Sequence, residues 1–231
     1  MRARSMWLAL AAVAFSGPVL ADDLTPQEAT QNVNKAGELV LNKQPAQALA
    51  LVERVLTGYE KPIADARAKG QAYCATNSAE ALLYSTLAAN KKASSTVFPT
   101  TLCEALFIKA YALNELKRET DGVATLEKLT ALAPLHAHYF VELGYGYRMI
   151  GAPDKAMVAY RAAFDNSKAP GLEDAKADRA AALRGIGYLL IDKNDLDGAA
   201  DSYRKSLEED PGSAIAKSEL EYIDGLRKKS R

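Results

Sequence analysis

The stretch FVELGYGYRMIGAPDKAMVAYRAA, Phe140 to Ala163, holds two glycines, Gly144 and Gly146, inside a segment whose apolar spacing is otherwise helical. A glycine in a helix interior costs roughly 1 kcal/mol relative to alanine, so packing must give a reason for keeping it. The spacing recurs on both sides. Here Phe140 is followed by Leu143-Gly144 and Tyr147, then by Ala156, Tyr160 and Ala163. Downstream, Leu183 is followed by Ile186-Gly187 and Leu190, then by Ala199, Tyr203, Ser206 and Pro211. Upstream, Leu106 is followed by Lys109-Ala110 and Leu113, then by Gly122, Leu126, Leu129 and Pro134. Asp121-Gly122, Gly151-Ala152-Pro153-Asp154 and Asn194-Asp195 are turn signals between the halves of each unit. Pro134 and Pro211 stop the second helices, because proline lacks the N–H and clashes with the preceding turn.

The units open at Cys103, Ala137 and Ala180, and the first two are 34 residues apart, the period of one class of helical repeat. The pattern resembles the tetratricopeptide repeat, with Leu106, Phe140 and Leu183 standing where that repeat has tryptophan. A weaker unit runs from Ala29 to Pro62, with Ala36, Leu39, Ala48, Val52 and Val55 in register. The resemblance implies an all-α, right-handed α-solenoid of antiparallel helix pairs. It also implies that the eighth position of each first helix faces the twentieth position on the second, and that both are small. Those pairs are Ala110 with Gly122, Gly144 with Ala156, and Gly187 with Ala199. Gly146 falls outside this rule.

Working outward, the expected organisation is a leader (1–21), a degenerate helix pair (22–62) and an irregular helical insert (63–102). Three regular units (103–136, 137–170, 180–213) and a capping helix (214–231) follow. The insert is expected to hold helices over 64–75 and 78–90, the second capped by Asn77 with Glu80 as its reciprocal partner. Lys168 to Asp178 interrupts the period, with a turn at Pro170-Gly171 and Leu172 onward extending the next helix. In the last helix Ile215, Leu220, Ile223 and Leu226 are expected on one side, the polar remainder solvating the end of the array.

Met1-Arg2-Ala3-Arg4, the apolar run Met6 to Phe15 and the small-residue site Val19-Leu20-Ala21 have the three parts of a secretory signal. The run is too short to span a bilayer. An exported, periplasmic or secreted chain cleaved after Ala21 is therefore expected, with no stable membrane insertion. In an oxidising compartment, Cys74 and Cys103 read as one intramolecular bridge or as two buried thiols.

With 29 basic and 29 acidic side chains the formal net charge is zero, which argues against a nucleic-acid partner. His136 and His138 are the only histidines and are expected to be solvated at a helix start; they make too small a set for a metal site. No catalytic string is present, so neither catalysis nor a cofactor is expected. The repeat class implies that the second, fifth, ninth and twelfth positions of the first helices line a concave groove. The fifth positions are Phe107, Val141 and Arg184; the ninth are Tyr111, Tyr145 and Tyr188; the twelfth include Asn114 and Arg148. The tyrosine column either fills space between neighbouring helices or offers flat apolar faces with hydroxyl tips to an extended ligand. Arg148 and Arg184 are able to pair with a carboxylate. The lysines and asparagines of the family's chaperone-tail clamp are replaced by Phe107, Val141, Tyr111 and Tyr145. The expected function is a non-catalytic scaffold that binds an envelope protein or peptide. The alternative ligand is a linear polysaccharide or peptidoglycan strand. Oligomeric state is left open.

Overall fold

The computed structural model describes residues 24–169, 172 and 175–229. The leader and the Pro170-Gly171 turn expected from the sequence lie outside these residues. The chain forms an all-α solenoid of helix pairs: α1 (Pro26–Leu41) with α2 (Pro45–Lys69), α4 (Thr100–Glu115) with α5 (Glu119–Leu132), α6 (Ala137–Met149) with α7 (Pro153–Asn166), and α8 (Lys176–Asp192) with α9 (Leu196–Glu209). A single helix, α10 (Ala214–Lys229), closes the array. Between α2 and α4 the chain makes β1 (Gln71–Cys74), α3 (Ser78–Asn90) and β2 (Ser95–Phe98), with β1 and β2 parallel.

The turn inside each pair is the same, that of the weak first unit included. Each first helix ends with one residue of positive φ: Lys43 (57°), Lys117 (61°), Gly151 (72°) and Asn194 (59°). In each turn the following N–H returns to a carbonyl five residues earlier: Gln44 to Leu39, Arg118 to Leu113, Ala152 to Tyr147 and Asp195 to Leu190, at 2.8 to 2.9 Å. These bonds satisfy carbonyls that the helix end leaves free. At the start of α1, Thr25 and Glu28 make a reciprocal cap, Glu28 N–H donating to Thr25 Oγ1 and Thr25 N–H to Glu28 Oε2.

The insert does not break the array. Val52 and Val55 of α2 share a buried cluster with Ala105, Ala112 and Leu113 of α4, as if the two helices were consecutive. The expected helix over 64–75 is absent. Helix α2 instead continues through Pro62 to Lys69, and Gln71–Cys74 is a strand. Proline is tolerated there because Pro62 and the Gly58 carbonyl it leaves unpaired are both on the exposed face, where water replaces the lost bond. The 62/63 boundary therefore falls inside a helix. The polar stretch before Phe98 pairs with β1 in the register Gln71↔Ser95 to Cys74↔Phe98.

The insert is tied down by apolar contact and by sulfur. Tyr73 and Tyr84 stack at 5.0 Å, both buried. The Cys74 and Cys103 sulfurs are 2.10 Å apart, with Cα atoms 5.8 Å apart, which is bridge geometry. Asn77 caps α3 as expected, accepting from Glu80 N–H, but the Glu80 carboxylate accepts from Thr76 N–H and Oγ1 rather than from Asn77. At the other end Ile223 and Ala216 of α10 are buried on α9, while Ile215 is 63% exposed, contrary to the expected apolar side. Arg227 fixes α10 to the start of α9 through Asp197 and the Leu196 carbonyl.

Candidate functional site: a tyrosine-lined groove

The first helices of the pairs form the inner layer. Helix α1 packs on α4 and α6 on α8, and Phe107 of α4 meets Tyr139 of α6 at 5.5 Å. In a curved array the inner elements approach most closely, so these helices line the concave side.

Glycine decides how close the layers come. A Cβ on Gly144 would lie 2.7 Å from the Tyr160 ring, and one on Gly187 would lie 2.8 Å from the Tyr203 ring. Both contacts are with a ring one turn beyond the expected partners Ala156 and Ala199, which are themselves fully buried. At Gly122 the anticipated backbone approach is found, with the Ala110 carbonyl 3.3 Å from the hypothetical Cβ. Gly146 now has a reason: its missing side chain makes room for Val123 of α5, 2.9 Å away. Gly185 of α8 faces Tyr160 from the other side at 2.5 Å, so this ring is held between glycines of two units.

On the open side, Tyr111, Tyr145 and Tyr188 are 40%, 47% and 40% exposed. Each is therefore partly open to solvent and partly packed against its neighbours. Phe107 and Val141 are half-buried against the core and form the floor. Arg148 lies over the Tyr188 ring, its Cζ 3.5 Å from the ring centroid. Burial raises the Tyr160 pKa, and the Arg148 guanidinium beside it opposes that rise.

Two sequence-expected groove residues are used otherwise. Asn114 is turned into the helix crossing, its side-chain amide against Gly122. Arg184 pairs with Asp210 at 3.2 Å and with Ser206 Oγ at 3.3 Å, so its charge already has a partner within the chain.

Of the two histidines, His136 is largely covered by the insert, its side chain 22% exposed, whereas His138 keeps 41% of its side chain open and is engaged by the start of α8. His138 Nδ1 is 2.9 Å from Asp178 Oδ1, a hydrogen bond that raises the His138 pKa. His136 stacks on Tyr139 at 3.8 Å with Glu80 4.0 Å away, and burial lowers its pKa. Burial also raises the pKa of Glu142, which faces His138 at 3.9 Å. No signal in the sequence pointed to this cluster, since its members come from α3, α6 and α8. Among the described residues no set of three or more His, Cys, Asp or Glu is arranged to hold a metal ion, and no helix is long and apolar enough to cross a membrane.

A tetratricopeptide-repeat model matches residues 182–213, from within α8 through α9 and the turn after it. Two crystal structures of MamA have similar folds. One has a TM-score of 0.58 at 15% identity, covering 89% of this chain and 87% of that one. The other has a TM-score of 0.54 at 17% identity, covering 80% of each chain. At these identities the likeness concerns the fold. No curated protein matches the chain in sequence.

Proposed function

We propose that the chain is a non-catalytic scaffold of the cell envelope that holds an extended peptide or a segment of a partner protein in its concave groove. The observation that carries this reading is the exposure of Tyr111, Tyr145 and Tyr188 on three successive inner helices. A tyrosine offers a large apolar face with a hydroxyl at its tip and has few rotors to immobilise on binding. A column of them at the spacing of packed helices suits a ligand that runs across the helices. Export belongs to the same proposal, supported by the three-part pattern of residues 1–21 and by the approach of Cys74 and Cys103.

The test is affinity capture from envelope extract with the purified protein and with a Tyr111→Ala, Tyr145→Ala, Tyr188→Ala variant of unchanged helicity and melting. The expected result is a partner retained by the first and lost by the second. The same partners on both would move attention to the insert and the outer face.

A further inference from the structure

Two features of this groove specify the chemistry of its ligand. The first is Arg148. Its Nε is buried without a hydrogen-bond partner, the Tyr160 and Tyr188 hydroxyls are the polar groups beside the rest of its guanidinium, and among the described residues no carboxylate lies within 4.0 Å of it. The neighbouring cations have partners: Arg184 has Asp210, Lys109 has Glu53 at 3.0 Å and Lys43 has Glu115 at 3.6 Å. Glu142, on the same helix as Arg148, faces His138. A half-buried cation with no counter-charge is costly. Stacking on Tyr188 leaves the edge of the planar fork able to accept a carboxylate in two parallel bonds.

The second feature is a pocket of about 290 Å³ at the other end of the groove, between α1 and α4. Gly37 opens it, since a Cβ there would have only Ile108 Cδ1 nearby, at 3.8 Å. Besides Gly37, its walls are Val40, Leu41, Phe107, Ile108 and Tyr111 with Lys43, which pairs with Glu115, so it has room for an apolar side chain. Leu41, one of these walls, is 82% exposed.

Packed helices lie about 8–10 Å apart. The pocket sits between the first and second inner helices, and the Arg148–Tyr188 pair bridges the third and fourth. α1–α4 and α6–α8 are packed pairs and α4 meets α6 through the Phe107 and Tyr139 rings, so the separation is two steps, at least about 16–20 Å, which an extended chain at about 3.3 Å per residue covers in about five to six residues. We infer that the groove takes an extended acidic peptide that places an apolar side chain in the α1–α4 pocket and, about five to six residues away, a carboxylate on Arg148. The carboxylate comes from an Asp or Glu side chain or from a peptide C-terminus. This inference rests on the groove reading above.

The experiment is selection of a displayed library of random twelve-residue peptides on the immobilised protein, followed by titration of the enriched peptides made as free acids, as C-terminal amides and with acids changed to amides. The expected result is enrichment of an aliphatic or aromatic residue spaced about five to six from an acid. Arg148→Gln should weaken these peptides about tenfold or more, as loss of a charge-assisted bond does. It should add nothing further once the peptide's own acid is neutralised. Gly37→Leu should remove the apolar preference and keep the acidic one. Loss on C-terminal amidation assigns the carboxylate to the terminus, and loss on Glu-to-Gln exchange assigns it to a side chain. Peptides that need the three tyrosines but show no acidic preference overturn this inference and leave the groove reading standing. Peptides indifferent to the triple tyrosine variant overturn both. If no peptide is enriched and an oligouronate binds through Arg148, the ligand is a glycan and the inference is wrong.

Discussion

Gly144 shows how one missing side chain sets the distance between elements. The Tyr160 ring occupies the space where its Cβ would stand. Interior rings do not compress, so any added carbon must move the ring or the helix. Gly144→Leu is expected to destabilise by about 1–3 kcal/mol, read as a melting point several degrees lower. Gly58→Ala is the control: nothing lies within 4 Å of its Cβ position, and it should be neutral or slightly stabilising. The histidines give a second expectation at this scale. His138 has a raised pKa through Asp178, so its contribution is complete below the ordinary histidine value near 6.5 and is lost as pH climbs through the raised value. His136 has a lowered pKa through burial, so its neutral form contributes above that ordinary value, and the contribution is lost as pH falls through the lowered one. Asp178→Asn should flatten most of the decline on the alkaline side, Glu142 still favouring the charged His138 ring, while an acid-side loss at His136 persists. Urea titrations between about pH 5 and 8.5 would show this, and an unchanged slope above the histidine range would refute the His138–Asp178 account.

Among the elements, the regular units were legible from sequence because each small residue and each turn signal acts within a window of a few tens of residues. The Leu-Gly and Tyr spacing located α6, α7, α8 and α9, and Asn77 located the start of α3. The insert was misread where local rules met a tertiary exception. Pro62 reads as a helix stop, yet its face is solvated and α2 continues; Gln71–Cys74 becomes a strand because a partner arrives from Ser95–Phe98. A pairing across an intervening helix leaves no local pattern. The pairing of Cys74 with Cys103 leads to an expectation at this scale. The oxidised protein should weigh about 2 Da less than the reduced one, the mass of the two hydrogens lost, and equal masses would dismiss the bridge. Replacing both Cys74 and Cys103 with alanine should cost about 3.6 kcal/mol, the loop-closure entropy of a cross-link at this separation of 29 residues. Because the bridge joins strand to array, the loss should appear first as proteolytic cutting within 63–102.

At the scale of the molecule, the groove was partly legible. The ninth positions, Tyr111, Tyr145 and Tyr188, follow from the repeat register alone. The fates of Asn114 and Arg184 do not, since these depend on Gly122 across a helix crossing and on Asp210 at the end of α9. The sequence carries the periodicity of the surface, but not which of its charges the chain neutralises internally. The Tyr160 ring has a consequence at this scale too. It is gripped from one side by Gly144 of its own pair and from the other by Gly185 of the next, so neither pair can loosen without releasing the same ring. A stacked array is a chain of units joined by neighbour couplings, and it frays wherever a coupling is weak. This shared ring makes the junction between the last two pairs a strong coupling. In hydrogen exchange the amides of α6 to α9 should open together with one free energy, as a single cooperative block, and the surface of Arg148 over Tyr188 is carried on that block.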